Sequence, residues 1–145
     1  MVNLRHVLRN TAFTFMANMN CLDNPENWLR GRTPNATHTL LPESLAHPLK
    51  MNNTATVEML GTLLPGLRDF KVNQVGPSGM VIDEEQRMIM IHAKGSGFTD
   101  VGPYANEYIF TLFTTKDGTQ VRESWEMVDS FLAKEFHKKL NLTST

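Results

Sequence analysis

Residues 108–128, YIFTLFTTKDGTQVRESWEMV, carry the clearest fold signal in the chain. The segment from Tyr108 to Thr115 is rich in aromatic and β-branched residues, which favour a strand. The triplet Lys116-Asp117-Gly118 is typical of a tight hairpin turn, because Asp and Gly tolerate the backbone conformations that such turns need. We therefore predict two long antiparallel strands, the second of which runs from Thr119 to Val128.

Further strands are predicted upstream of this hairpin. Arg87 to Ala93 reads RMIMIHA and is apolar on both faces, which indicates a central strand covered on each side. Phe70 to Val75 alternates as a strand, and a Gly/Pro turn or bulge separates it from a short extended run, Met80 to Ile82. The sheet is therefore expected to be a meander of four or five long antiparallel strands.

Helices are predicted on both sides of these strands. Apolar residues recur at three- and four-residue spacing from Leu4 to Met19, which is typical of an amphipathic helix. Asn24 is expected to cap a short helix that ends at Gly31. Asn53 is expected to cap a third helix, and Ser130 a terminal one.

The stretch from Thr33 to Leu49 contains three prolines and little periodicity. It is predicted to be a loop with a short extended piece from Thr37 to Leu41, which includes His38. A chain of 145 residues without a linker-like segment predicts a single domain over residues 1–145. The predicted order is helices first, then the strands, then one terminal helix. This order predicts an α+β fold in which the N-terminal helices pack on a strongly curved antiparallel sheet and close a blind pocket.

Composition excludes several classes of partner. Fourteen basic and fifteen acidic side chains give a formal net charge of -1, so no positive field would attract nucleic acid or an anionic membrane. No segment is apolar and long enough to span a membrane, and the N-terminal segment lacks the apolar run of a signal peptide. The single cysteine, Cys21, has no Cys or His neighbour at metal-ligand spacing. We expect a cytoplasmic protein without a metal site or cofactor.

The absence of phosphate-loop, dinucleotide, serine-elbow and zinc-helix motifs leaves general acid and base groups as the candidate chemistry. His38 could take and give a proton near neutral pH, or could be a structural histidine within an apolar stretch. Glu107 shares a strand face with Ile109, Thr111 and Phe113. If that face is concave, Glu107 enters the pocket; the alternative places it at a solvated strand end.

Other polar and apolar residues could line the pocket. Asp100, Tyr104 and Asn106 lie in a Gly/Pro loop that leads into the Tyr108 strand. On the last strand, Arg122 and Glu126 alternate with Trp125 and are expected to form an ion pair on the outside. If they face inward instead, they must be paired and would form a polar floor. Met90 is a core or pocket residue, since Met fills irregular apolar spaces.

Three segments together resemble the small fungal isomerases of meroterpenoid biosynthesis, such as those of the terretonin, austinol, paraherquonin and novofumigatonin pathways. The segments are RTPNATHTLLPESL, IHAKGSGFTDVGPYANEYIF and DGTQVRESWEMVDS, and the likeness extends from about Trp28 to Leu140. The resemblance implies an NTF2-like or SnoaL-like cone, commonly a homodimer, that rearranges a polycyclic terpenoid–polyketide substrate by acid–base catalysis without a cofactor.

By position, the resemblance makes His38, Asp100 and Glu107 the candidates for proton transfer. Substrate-binding candidates are Tyr104, Asn106, Glu126, Met90 and Trp125. Two other functions use the same fold: a non-catalytic binding or dimerisation module, and a polyketide dehydratase. A pocket filled by Met and aromatic side chains, with no acid inside, would favour the binding module.

Overall fold

The computed structural model describes residues 2–45 and 48–143. The three α-helices are α1 (Leu4–Met19), α2 (Asn53–Leu63) and α3 (Ser130–Thr143). The seven strands are β1 (Arg32–Leu41), β2 (Lys50–Asn52), β3 (Arg68–Gln74), β4 (Met80–Asp83), β5 (Met88–Thr99), β6 (Gly102–Thr114) and β7 (Val121–Val128). Short 3₁₀ helices cover Pro25–Leu29, Leu64–Gly66 and Pro77–Gly79.

All seven strands form one sheet in the order β2-β1-β7-β6-β5-β3, and β4 pairs with β5. The strands from β3 to β7 pair antiparallel, as predicted. The pairing of β1 with β7 is parallel, so the sheet is mixed and not wholly antiparallel. The predicted α+β class, with N-terminal helices packed on a curved sheet, is confirmed.

The predicted extended piece from Thr37 to Leu41 is confirmed, but the loop predicted before it is wrong, because the strand begins at Arg32 and is ten residues long. It hydrogen-bonds to β2 on one side and to β7 on the other. Pro34 lies where the register shifts between Arg32 and Thr37, and a strand tolerates proline at such an irregularity. Leu45 is followed by two residues that lie outside the described part of the chain.

Two helix caps lie one residue earlier than predicted. The Asn52 side chain, not that of Asn53, accepts a hydrogen bond from the backbone of α2. Asp129, not Ser130, accepts hydrogen bonds from the first backbone N–H groups of α3. The predicted cap at Asn24 is confirmed. Asn53 instead donates its amide to the backbone oxygens at the start of β1, which ties α2 to the sheet.

The core lies between α1 and the concave face of the sheet. Along β6, the buried side chains alternate with more exposed ones, which assigns Asn106, Tyr108, Phe110 and Leu112 to the concave face. Phe110 is fully buried, and its ring contacts Phe15 of α1 edge-on at 5.2 Å. The remaining core side chains include Leu8, Ala12, Met19, Trp28, Val72, Ile89, Ile91 and Ala93. This packing leaves the polar residues of β1 and β7 beside an apolar wall.

We call the opposite, convex side the outer sheet face. It comprises Met88, Met90 and His92 of β5, Glu107, Ile109 and Phe113 of β6, and Trp125 and Met127 of β7, in matching cross-strand register. Several of these side chains are exposed although they are apolar: Met90 is 39% exposed, Trp125 38% and Met127 40%. The concave face of the sheet is therefore buried against α1, whereas the outer sheet face presents exposed apolar side chains.

Candidate active site

A chain of four polar side chains crosses the concave side of β1 and β7. His38 and Ser124 are direct register partners in the parallel pairing, and His38 Nδ1 lies 2.7 Å from Ser124 Oγ. Arg32 Nη1 donates to the same Ser124 Oγ at 3.0 Å. On the other side of the ring, His38 Nε2 lies 3.1 Å from Glu126 Oε1. We call these residues, Arg32, Ser124, His38 and Glu126, the polar chain.

Burial increases along the polar chain from Glu126 toward Ser124. The His38 residue is 1% exposed and Ser124 is fully buried, whereas the Glu126 side chain is 20% exposed. The indole of Trp28 packs edge-on against the His38 ring, with the ring centroids 4.8 Å apart. Glu126 is therefore the most exposed member of the polar chain.

Arg32 is a buried cation at the inner end of the polar chain. Its guanidinium lies over the Trp28 ring, 4.5 Å from the centroid, and donates to the Thr37 carbonyl at 3.0 Å. Burial lowers the pKa of Arg32 to about 10. Because no carboxylate among residues 2–45 and 48–143 forms a salt bridge with it, its stabilisation comes from neutral hydrogen-bond acceptors and the indole.

Two tyrosine hydroxyls lie within the electrostatic range of the Glu126 carboxylate. The Tyr104 and Tyr108 hydroxyl oxygens are 3.1 Å apart, so one of them donates a hydrogen bond to the other. Burial raises the pKa of both phenols, and the negative charge of Glu126 raises it further. Both hydroxyls therefore remain protonated at neutral pH, and the hydrogen that the pair does not use can be donated to an oxygen of a bound molecule.

The raised tyrosine pKa values predict a delayed alkaline titration. Since the chain has two tyrosines, both in this cluster, tyrosinate absorbance at 295 nm reports on the site alone. A raised folded-state pKa stabilises the fold below the unfolded pKa of about 10, and this contribution is lost above it. We expect little tyrosinate at pH 10 in the folded protein and a normal titration in guanidinium. Half-ionisation near pH 10 in the folded protein would contradict the buried pair.

The Trp28 indole, which packs against His38, supplies a further polar atom beside the polar chain. Its indole Nε1 is buried and has no hydrogen-bond partner within the described ranges. Because buried donors are nearly always satisfied, this N–H is available to an oxygen that binds beside His38.

Glu107 does not meet His38, contrary to the predicted convergence. It does share a face with Ile109, Thr111 and Phe113, but that face is the outer sheet face. The Glu107 side chain is 46% exposed and hydrogen-bonds to His92 on the neighbouring strand. Alternation along β6 predicted the two faces and could not tell which one is concave.

The other predicted site residues separate into two groups. Glu126 belongs to the polar chain, and Tyr104 lies close enough for the charge of Glu126 to raise its pKa. The Asp100 side chain is 92% exposed and pairs with Arg68 at 2.8 Å, and Met90 and Trp125 lie on the outer sheet face. Those three are therefore not brought together with His38.

Asn106 has a largely structural position. It is 4% exposed, and its side-chain oxygen accepts hydrogen bonds from the backbone N–H of Glu107 at 2.7 Å and of Asp129 at 3.0 Å. The second bond fixes the residue that caps α3. Asn106 thus holds the start of α3 beside the site, where Phe136 packs edge-on against Tyr104 at 5.1 Å.

The predicted outer ion pair between Arg122 and Glu126 is wrong. The register shifts between Phe113 and Thr114, which leaves Arg122 as an extra residue on β7. Arg122 becomes exposed and donates to the Thr114 carbonyl at 3.0 Å, whereas Glu126 turns to the concave side. The alternative, in which both residues face inward, holds for Glu126 alone, and its partner there is His38 instead of Arg122.

Sequence reasoning missed Arg32, Ser124 and Tyr108 as site residues. Ser124 shares its alternation face with Glu126, and this was the one signal available for it. Arg32 could be placed only through the pairing of β1 with β7, since the two strands are separated by most of the chain.

Cavities open at several places on the described residues. One of about 760 Å³ is lined by the end of α1, the end of α2 and β3, and includes Phe70. Two others measure about 520 and 300 Å³, and Arg32 contributes to both. His38 and Glu126 line none of these three. Phe70, however, contacts Tyr104 at 6.3 Å between ring centroids, so the cavity of about 760 Å³ is one side chain away from the tyrosine pair.

Within residues 2–45 and 48–143, no group of three or more His, Cys, Asp and Glu side chains is placed to hold a metal ion. No helix in the same ranges is long and apolar enough to cross a bilayer.

Comparisons with known proteins identify the family. No protein-family model matches the chain. Austinoid biosynthesis cluster protein J of Aspergillus calidoustus is 31% identical over 140 residues, which cover 97% of this chain and 84% of that protein.

Solved structures of fungal proteins share the fold of this chain. PrhC from Penicillium brasilianum superposes with a TM-score of 0.89 at 25% identity and covers 97% of this chain and 91% of its own. BvnE pinacolase from Penicillium brevicompactum has a TM-score of 0.93 at 24% identity, covering 99% and 100% respectively, and shows the same fold. The predicted SnoaL-like class is confirmed. The chain belongs to the family of fungal meroterpenoid cluster proteins that includes austinoid biosynthesis cluster protein J.

Proposed function

We propose that this protein is a cofactor-independent isomerase or cyclase that rearranges a polycyclic meroterpenoid by general acid–base catalysis. The observation that carries the proposal is a partly exposed Glu126 carboxylate, held by buried His38 and flanked by two tyrosine hydroxyls. A base, a donor and an apolar wall at one place are what proton-transfer chemistry needs. The name of the austinoid relative supports the substrate class.

Glu126 is the proposed proton acceptor. Its carboxylate removes a hydroxyl or carbon-bound proton, while a tyrosine hydroxyl donates a hydrogen bond to the substrate oxygen that gains negative charge. The proton then returns to a different atom of the substrate. Atoms are conserved, and the product is an isomer.

Tyr104 is the proposed contact with that oxygen, since Tyr108 is only 4% exposed and lies behind it. Burial keeps both phenols protonated. The Tyr108 hydroxyl donates to the Tyr104 oxygen, which leaves the Tyr104 hydrogen for the substrate oxygen and strengthens it as a donor.

The cavity of about 760 Å³ is the proposed binding place for the bulk of the substrate. Its volume lies within the range of roughly 300–1,000 Å³ that is usual for small-molecule sites. Movement of Phe70, whose ring separates this cavity from Tyr104, would connect it to the polar chain. The proposal assigns no proton transfer to Asp100 or Glu107, because neither lies beside the polar chain.

The test is conversion of an austinoid-type pathway intermediate by purified protein, followed by liquid chromatography and mass spectrometry. We expect a product of unchanged mass and shifted retention, without added metal or nucleotide. Loss of one water would identify a dehydratase instead. Binding without conversion, seen by calorimetry, would identify a non-catalytic module. Heat-inactivated protein is the control.

We also propose that two copies associate through the outer sheet face. Val81, at 62% exposure, extends the apolar strip formed by Met90, Trp125 and Met127 across neighbouring strands. The His92–Glu107 hydrogen bond lies at the edge of this strip, so the Glu107 carboxylate has a hydrogen-bond partner there. A contiguous apolar area on a sheet face is typical of an interface.

Replacing Met90 and Met127 together with Glu is expected to convert the dimer to a monomer, because like charges would face each other across the interface. Light scattering after size-exclusion chromatography measures the mass. Phe13→Glu is the matched control, since Phe13 is 53% exposed on α1, away from the outer sheet face, and its replacement should leave the mass unchanged. A monomeric wild-type protein would contradict the interface.

A cytoplasmic location is proposed as well. Cys21 is exposed and has no disulfide, which suits a reducing compartment. A fluorescently tagged protein is expected to be diffuse in the cytoplasm.

A further inference from the structure

Ser124 lies at the centre of the polar chain and is fully buried. Its hydroxyl has one hydrogen to donate and lone pairs that accept. Two groups contact it within the described ranges, Arg32 Nη1 at 3.0 Å and His38 Nδ1 at 2.7 Å. The directions of these two hydrogen bonds therefore determine where the hydrogen of the imidazole lies.

The first direction is fixed by chemistry. A guanidinium has donors and no acceptor, so Arg32 must donate to Ser124 Oγ. If His38 Nδ1 also carried a hydrogen, both groups would donate to Ser124. The Ser124 hydroxyl hydrogen would then be buried with no acceptor among the described residues.

A buried unsatisfied hydroxyl donor costs free energy of the order of 1–3 kcal/mol. The arrangement that avoids this cost has Ser124 donating to a bare Nδ1. The imidazole hydrogen is then on Nε2, which donates to Glu126 Oε1 at 3.1 Å. Each group in the sequence Arg32, Ser124, His38, Glu126 donates to the next.

We infer that Arg32 and Ser124 are positioning residues that hold His38 in its Nε2–H tautomer and thereby orient Glu126 as the base. The catalytic consequence rests on the proposed function, while the tautomer does not. With Oε1 occupied by His38, the other carboxylate oxygen of Glu126 is left for the substrate proton. His38 serves by orienting the base and not by exchanging protons with the substrate.

Nitrogen NMR of the ligand-free protein tests the tautomer directly. In uniformly ¹⁵N-labelled protein, long-range ¹H–¹⁵N spectra separate a bare, pyridine-like nitrogen from a protonated, pyrrole-like one. The chain has five histidines, and the signals missing from His38→Asn identify His38. We expect pyridine-like Nδ1 and pyrrole-like Nε2. Pyrrole-like Nδ1 in the wild-type protein would overturn the inference, whether or not any variant folds.

Variants then test which side chain determines the tautomer of His38. Ser124→Ala removes the donor to Nδ1, so the two His38 nitrogens should move toward averaged shifts. Thr56→Val is the matched control, because Thr56 is also buried but bonds only to Asn52. Unchanged His38 shifts in a folded Ser124→Ala protein would overturn the positioning role.

Kinetics separate this inference from the proposed function. Ser124→Ala should lower kcat by about 10- to 100-fold, as loss of an orienting residue commonly does, with KM nearly unchanged. If the wild-type protein shows the expected tautomer but converts no intermediate, the proposed function fails and the tautomer stands. If the wild-type protein converts the intermediate but His38 is in the Nδ1–H tautomer, the inference fails and the proposed function stands.

Discussion

Replacing Glu126 with Gln is expected to lower kcat for the rearrangement by about 10²- to 10⁴-fold, the usual contribution of a general base. The amide keeps the size of the carboxylate, and its oxygen can still accept from His38 Nε2, which lies 3.1 Å from Oε1 in the wild-type protein. It cannot take up a proton. Turnover measured by mass spectrometry should therefore fall, while the melting temperature stays within a few degrees.

Glu123→Gln is the matched control for this prediction. Glu123 lies three residues away on the same strand, where its carboxylate accepts a hydrogen bond from Trp125 Nε1 at 3.0 Å. This variant should keep wild-type turnover. Glu107→Gln discriminates between the two faces of the sheet. If Glu107→Gln abolished turnover and Glu126→Gln did not, the reaction would take place on the outer sheet face and the proposed site would be wrong.

Replacing Phe110 with Ala is expected to lower the free energy of unfolding by about 3–5 kcal/mol, the typical cost of removing a buried aromatic ring. Phe110 is fully buried on the concave face. Its ring stacks on Tyr108 at 5.2 Å and meets Phe15 edge-on at the same distance, so its removal leaves a cavity beside both.

Urea denaturation followed by circular dichroism measures this loss. Phe98→Ala is the comparison, since Phe98 is 55% exposed on β5 and its replacement should change stability by about 0.5 kcal/mol or less. Equal losses for the two variants would show that Phe110 is not part of a close-packed core.

Local sequence patterns predicted most of the fold. The Lys116-Asp117-Gly118 turn, the apolar stripe of α1 and the cap at Asn24 involve neighbouring residues, and each is found where predicted. Only the second half of β1, from Thr37 to Leu41, was predicted, because the proline-containing first half carries little strand preference by itself. Its hydrogen-bond partners on β7 lie more than eighty residues later, and no local pattern contains them.

The same distinction between local and distant information applies to the site. His38 was predicted as a proton-transfer candidate and Glu126 as a pocket or positioning residue, and the structure joins the two by a hydrogen bond. Alternation left both faces open for Glu107, and its choice as a catalytic candidate was wrong because alternation does not tell which face curves around the core. Glu126 faces the core because it pairs with Phe110 of β6, and no local pattern contains that pairing.

The parallel pairing of β1 with β7 has a consequence for synthesis on the ribosome. His38 and Ser124 are 86 positions apart, so the imidazole is translated long before the serine and carboxylate that it contacts. A growing chain can form α1 and the hairpins near it, since local contacts form readily. The polar chain, however, is completed only when β7 leaves the exit tunnel. A polypeptide that terminates before β7 would therefore lack activity.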